Sequence, residues 1–154
     1  MLSDDIREKI RLGALRYPNS RACLLPALQI AQAELGHLSD DAMRSVAKLL
    51  DLPESDVYGT ATFYSLIRQR PSGRHVISVC HNLPCTLLGA EPLIDYLRNK
   101  FGIEEEEVTP DGRFSYRRIE CIGRCDSAPA MLVNEDYHGD LTPEKIDAIL
   151  GRYT

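Results

Sequence analysis

Val79-Cys80-His81-Asn82-Leu83-Pro84-Cys85 and Glu120-Cys121-Ile122-Gly123-Arg124-Cys125 are the two stretches from which the rest of this 154-residue chain is read. Four residues separate the cysteines of the first pair and three those of the second; thirty-five lie between the pairs. Each pair follows a run with β-branched and aromatic side chains, Arg74 to Val79 and Phe114 to Glu120, that reads as a strand. Two parallel strands whose ends each deliver two thiols bring four sulfurs to one place. That is a metal or cluster site, or else two disulfides. Structural zinc sites favour two residues between paired cysteines, sometimes four, and neither pair has the two-residue form. A two-iron cluster is wider, with each pair serving a different iron, and longer loops suit it.

Outward from the cysteines, composition narrows the choice. A net charge of −5 argues against broad nucleic-acid binding, which needs a basic surface to displace counterions from phosphate. The start of the chain, Met1-Leu2-Ser3-Asp4-Asp5, is acidic and lacks the apolar core of a secretory signal. The most apolar stretch, Ala22 to Leu35, is interrupted by Pro26, Gln29, Gln32 and Glu34, so direct membrane insertion is not expected. Five cysteines are an odd number, and without an export signal they point to a reducing compartment, where clustered thiols bind metal or do redox work. Cys23, alone in an apolar helical stretch, reads as a small buried hydrophobe.

The chain divides at Pro71-Ser72-Gly73. Residues 1–72 read as a helical bundle. Ser3 caps a helix over about 4–16, with Ile6, Ile10 and Leu12 or Leu15 on one face. A second helix over about 21–35 carries Leu24, Leu28, Ala31 and Leu35 and ends at Gly36. Ser39 caps a third over about 40–51, and Pro53 suits the first turn of a short fourth. The type of the segment Thr60 to Ile67 is left open. Residues 73–154 alternate instead. A strand over 74–79 is followed by a stripe of Leu87, Ala90, Ile94, Leu97 and Phe101, closed by Gly102. Pro92 places the regular start of that helix near Gly89, leaving a loose turn beside the cysteines. Glu104 to Glu107 is a solvated connection, and Asp111-Gly112 turns into a strand over 114–119. A hairpin, 130–133 with 137–140, surrounds Asn134-Glu135-Asp136, and Thr142-Pro143 opens a last helix. The order β-α-β-β-β-α, with a right-handed crossover, suits a thioredoxin-like α/β layer with a four-stranded mixed sheet.

Together, Cys80-x4-Cys85, Gly89, Thr109-Pro110-Asp111-Gly112, Cys121-Ile122-Gly123-Arg124-Cys125, Ala128-Pro129 and Asn134 resemble the thioredoxin-like [2Fe-2S] ferredoxins. Gly59-Thr60-Ala61-Thr62-Phe63-Tyr64 extends the likeness over nearly the whole chain, to the E-type (24 kDa) subunits that serve respiratory complex I, NADH-quinone oxidoreductase. The resemblance implies one [2Fe-2S] cluster held by Cys80, Cys85, Cys121 and Cys125, and a cis Pro129. It implies electron exchange with FMN on a partner subunit of the F type, which also binds NADH, within the peripheral arm of complex I. It implies a cytoplasmic place at the inner face of the membrane. The same resemblance admits the diaphorase part of an NAD-linked hydrogenase or formate dehydrogenase as host. Arg124 departs from the family, where many members carry a small residue; with Arg117 and Arg118 it is a candidate tuner of the cluster's charge, the alternative being that its guanidinium points into solvent or binds a carboxylate such as Asp126.

Other readings are weaker on the residues themselves. His81 follows a ligand position, but four thiols are already available; His37, His75 and His138 are scattered. No glycine-rich dinucleotide fingerprint follows a strand, so NADH is not expected on this chain, and no catalytic residue is assigned. Residues 43–67 resemble a helix-turn-helix, but Glu54 and Asp56 at the tip of its second helix would repel phosphate. A structural zinc protein is the remaining rival. Phe63 and Tyr64 are expected either at the flavin subunit's contact or packed within this chain.

Overall fold

A computed structural model describes residues 2–154, which divide after Pro71 into two compact units. The first holds four helices: α1 (Asp4–Ala14), α2 (Leu24–Leu35), α3 (Asp40–Leu50) and α4 (Glu54–Phe63). Ser3 and Ser39 act as the expected caps, each hydroxyl accepting a backbone N–H three residues on, from Ile6 and Ala42. Asp4, Asp5, Asp40 and Asp41 place negative charge where the helix dipoles favour it. Ile6, Ile10, Leu28, Ala31, Val46, Val57 and Ala61 build the core of this unit.

Several expectations are corrected here. Leu12 and Leu15 are 57% and 82% exposed, so the apolar face of α1 is the narrower Ile6–Ile10 stripe. Helix α2 starts at Leu24 because Asn19 holds the preceding turn, its side-chain oxygen accepting from Ala22 N–H at 2.9 Å. Leu35 lies on the outer side, and Ala27 takes its expected place inside. Pro53 precedes α4 as its cap, and the helix runs on through Phe63, which settles the open segment as helix for its first four residues. Cys23 is buried as expected; its Sγ donates to Ser20 O at 3.1 Å, and burial pushes its thiol pKa up.

The second unit runs β1 (His75–Cys80), α5 (Leu83–Leu87), α6 (Ala90–Phe101), β2 (Phe114–Ile119), a 3-10 turn (Cys125–Ser127), β3 (Met131–Val133), β4 (Asp136–His138) and α7 (Pro143–Leu150). Its sheet is the expected mixed four-stranded one, in the order β2-β1-β3-β4. Strands β1 and β2 are parallel, β3 is antiparallel to β1, and β4 is antiparallel to β3. Central β1 is buried from Val76 to Cys80, as a strand covered on both faces must be. Leu93, Ile94 and Leu97 of α6 and Ile146 and Leu150 of α7 share a core with Ile77, Val79, Tyr116, Met131 and Val133.

Around the first cysteine pair, the loose turn expected before α6 is a short helix. Asn82 caps α5, its Oδ1 accepting from Leu83 N–H at 2.8 Å. Leu87 belongs to α5 and is 75% exposed, so it drops out of the α6 stripe. Gly89, at φ 98°, breaks the path between the two helices. Pro92 then falls in the first turn of α6, where an N–H has no intrahelical partner to lose. The hairpin turn is Asn134-Glu135, one residue shorter than expected, with Asn134 at φ 57° and its Oδ1 accepting from Val76 N–H at 3.0 Å. The Ala128-Pro129 bond is cis. Among the described residues no helix is long and apolar enough to cross a membrane.

Leu97 is fully buried at the centre of the second core. We expect Leu97→Ala to cost about 2–5 kcal/mol, read as a lower urea midpoint at unchanged slope.

Candidate metal centre

Cys80 is the last residue of β1. Its N–H donates to Ala130 O at 3.0 Å, and its thiol, buried, lies 3.8 Å from Glu120 O. Cys85 sits on α5, also buried, on a turn steadied by Thr86, whose hydroxyl donates to His81 O at 2.7 Å. The two thiols lie in one small cluster of buried residues. Burial first, and then the Cys80 thiol, push Cys85 up to about 11; the Ala130 N–H works in the opposite direction.

The second pair arrives through β2. Cys80 stands opposite Ile119 in the register, and the ladder continues one step as His81 N–H donates to Ile119 O at 3.1 Å. Two residues beyond Ile119 is Cys121, exposed, its Sγ accepting from Gly123 N–H at 3.2 Å. Cys125 opens the 3-10 turn, also exposed, and lies close enough to Cys85 for its charge to raise that thiol further. The structure therefore brings Cys80 and Cys85 together in one buried cluster, with Cys121 and Cys125 on the loop just past β2. Among the described residues, no three Cys, His, Asp or Glu side chains form a group that holds a single metal ion.

The surroundings fit a thiolate-held cluster. Ala90 and Ala130 pack against Cys80 and Cys85, and small side chains leave room beside the sulfurs. The Gly123 N–H points at the Cys121 sulfur, the kind of donor that stabilises negative charge there. His81 is 3.5 Å from the Glu120 carboxylate. The other histidines are distributed over both units; His138, half-buried and with its pKa lowered by burial, is 3.2 Å from Tyr153 Oη.

The three arginines singled out in the sequence have local partners. Arg117 donates to Ser78 Oγ at 3.1 Å, and Arg118 reaches Glu91 at 3.2 Å and Glu105 at 3.6 Å. Both sit on β2, an edge strand. Arg124 is 3.4 Å from Asp126 and lies over the Tyr137 ring, 4.3 Å from its centroid. Tyr137 packs against the cluster that holds Cys80 and Cys85 and is joined to Ser127 at 2.6 Å through their hydroxyls, and sequence reasoning misses both. No local pattern marks them, because the contact depends on how the hairpin folds back.

A thioredoxin-like layer with thiols at the carboxyl ends of adjacent parallel strands defines a class of cysteine-ligated redox proteins. The profile of the thioredoxin-like [2Fe-2S] ferredoxins matches residues 12–154, and the chain belongs to that family. It is 43% identical over 145 residues to the second E-type NADH-quinone oxidoreductase subunit of Rhizobium meliloti (strain 1021), covering 94% of this chain and 86% of that one. It is 41% identical over 152 residues to the E-type NADH-quinone oxidoreductase subunit of Escherichia coli (strain K12), covering 99% and 92%. Among solved structures, an NAD+-reducing [NiFe]-hydrogenase in the air-oxidized state matches with a TM-score of 0.69 at 28% identity; the match covers 84% of this chain and 22% of the hydrogenase chain.

The raised Cys85 pKa has a consequence for the metal-free protein. An unfolded cysteine loses its proton near about 8.5, whereas folded Cys85 keeps its proton up to about 11. Between those values the unfolded chain binds fewer protons, so stability falls as pH rises. We expect urea midpoints to decline across that window and to decline less in Cys85→Ala. At neutral pH, mass spectrometry after brief alkylation should find Cys121 and Cys125 labelled before Cys80, Cys85 and Cys23.

Proposed function

We propose that this chain is the [2Fe-2S] electron carrier of an NADH-quinone oxidoreductase, an E-type subunit working beside a separate subunit that holds FMN and binds NADH. The observation that carries this reading is the delivery of four thiols by two adjacent parallel strands and the elements that follow them. The names of the near-full-length relatives support the host complex. Bound there, the cluster supplies one-electron chemistry, a dianion gaining one further negative charge.

This chain's residues hold and shield that charge. Cys80 and Cys85 ligate from a strand end and a capped helix, and Cys121 and Cys125 from the loop after β2. The Gly123 N–H donates to the Cys121 sulfur, while Ala90 and Ala130 pack on the inner side. The Cys121–Cys125 side stays open to a partner.

Beside the site, Leu83, Leu87 and Leu88 are 68%, 75% and 60% exposed, an apolar surface of the kind a partner covers. In the helical unit Phe63 and Tyr64 are exposed and meet edge to face, and we assign them to the flavin subunit's contact as well. The unit of residues 1–72 is then a docking domain, and that of 73–154 the ferredoxin domain. The complex would sit in the cytoplasm at the inner face of the membrane. The likeness to the NAD+-reducing hydrogenase favours one second reading, the corresponding diaphorase component of an NAD-linked hydrogenase.

Iron and sulfide assays with visible spectra test the ligand set. Single Cys→Ser changes at 80, 85, 121 and 125 should each abolish the normal red-brown spectrum, and Cys23→Ser should not. A colourless, zinc-loaded wild type would overturn the reading. The lone chain should not oxidise NADH; adding the flavin subunit should give NADH-dependent bleaching.

A further inference from the structure

We propose that Tyr137 is a positioning residue that clasps the Cys121–Cys125 loop to strand β4 and so holds the two exposed thiolates in ligand geometry. The inference rests on the cluster reading and adds to it a device outside the four ligands.

The loop from Glu120 to Ser127 has no strand partner. Its only regular element is the three-residue turn that starts at Cys125. A loop of this kind carrying two exposed ligands needs something else to hold it. Three contacts converge on it from β4 and the residues just after. The Tyr137 and Ser127 hydroxyls are 2.6 Å apart. Asp140 N–H donates to Ser127 O at 2.7 Å. The Arg124 guanidinium lies 4.3 Å from the Tyr137 ring centroid, and Asp126 Oδ1 is 3.4 Å from Arg124 Nε. Of the two residues that flank Cys125, Arg124 is thus seated on the ring and Asp126 pairs with it, and Ser127 is bound by its side chain and its backbone.

Gly139 makes the approach possible. A Cβ there would overlap the Tyr137 hydroxyl and stand 2.7 Å from Ser127 O and 2.9 Å from Ser127 Cβ. Only a residue without a side chain lets β4 come this close to the turn. Tyr137 itself is half-buried and packs on the cluster of buried residues that contains Cys80 and Cys85. One ring therefore touches the fixed half of the site and fastens the open half. This also assigns a role to the departure at Arg124: it seats on the ring and secures the loop, with its charge matched by Asp126.

The test uses the full chain carrying its cluster. The rate of cluster loss to an excess iron chelator is followed by visible absorption, and the reduced cluster is examined by electron paramagnetic resonance. Tyr137→Phe keeps the ring and removes the hydroxyl; Arg124→Ala removes the cation. We expect cluster loss about three- to tenfold faster in Tyr137→Phe and about two- to fivefold faster in Arg124→Ala. The double variant should lose it more slowly than the product of the two factors implies, because both changes open one clasp. The resonance lines should broaden in each variant as the loop samples more than one geometry.

Tyr96→Phe is the control. It removes a hydroxyl bond of the same kind in the same unit, from Tyr96 Oη to Asp147 Oδ1 at 2.5 Å, joining α6 to α7. General loosening would speed cluster loss in Tyr96→Phe as well, and equal acceleration in Tyr96→Phe and Tyr137→Phe overturns the clasp. So does a Tyr137→Phe protein that releases iron at the wild-type rate with unchanged lines. A wild-type chain that takes up no iron and sulfide at all overturns the cluster reading, and the clasp with it.

Discussion

Everything at the thiol site depends on the parallel pairing of β1 with β2. Parallel neighbours present their carboxyl ends at the same edge, so the residues that follow each strand begin side by side. Such a pair cannot be joined by a tight turn and needs a long crossover, here α5, α6 and the acidic connection to β2. Register matters as much as direction, since a slip of one residue would turn every side chain of the strand to the other face. The turn before β2 pins it. Thr109 Oγ1 accepts from Phe114 N–H at 2.9 Å and donates to Asp111, whose Oδ1 also accepts from Arg113 N–H at 3.0 Å. These bonds hold the Asp111 carboxyl below its ordinary pKa. The Thr109-Pro110-Asp111-Gly112 motif thus sets where β2 begins, and through it where Cys121 falls.

The four thiols are unequal by construction. Two are buried on a strand and a capped helix, and two are exposed on a loop. Burial disfavours the thiolate, as the Cys85 shift shows, yet a metal binds the thiolate form. On the proposed ligand set, metal uptake at Cys85 is therefore coupled to proton release, and the metal's charge must overcome the desolvation that the protein alone imposes. The outer pair is constrained by the Gly123 N–H at Cys121 and by what grips its loop.

Much of this is readable from the residues. The strand before each cysteine pair, the helix after Gly89, the caps at Ser3, Ser39 and Thr142, and the mixed sheet all follow from period and local chemistry. These are short-range signals, and they survive folding because nothing tertiary opposes them. The misses share a different cause. Leu12, Leu15, Leu35 and Leu87 are apolar at helical spacing, yet exposed, because periodicity reports which face is apolar and not how wide the covering neighbour is. The short helix at Cys85 reads as a loose turn, since Pro92 argues against one helix running unbroken from Thr86. Arg124 reads as a tuner of the cluster's charge, with Asp126 as the alternative partner, and that local pair does form. Its seat on the Tyr137 ring arises only when β4 folds back on the turn, a long-range event with no trace in the local sequence.

Cys23 bears on the site although it lies in the other unit. A chain with five thiols has an unpaired bystander, and when a cluster is lost, thiolates are free to exchange or oxidise. The rate of such chemistry follows thiolate fraction and access. Cys23 is 2% exposed, its sulfur engaged with Ser20 O and its ionisation suppressed by burial. The reactive pool is thereby kept even in number. If oxidation strikes the emptied site, the four site cysteines have only one another to meet, and reduction can return them without a scrambled partner. On the proposed ligand set, packing one cysteine as a hydrophobe in the helical bundle therefore protects the repairability of a centre in which that residue has no part.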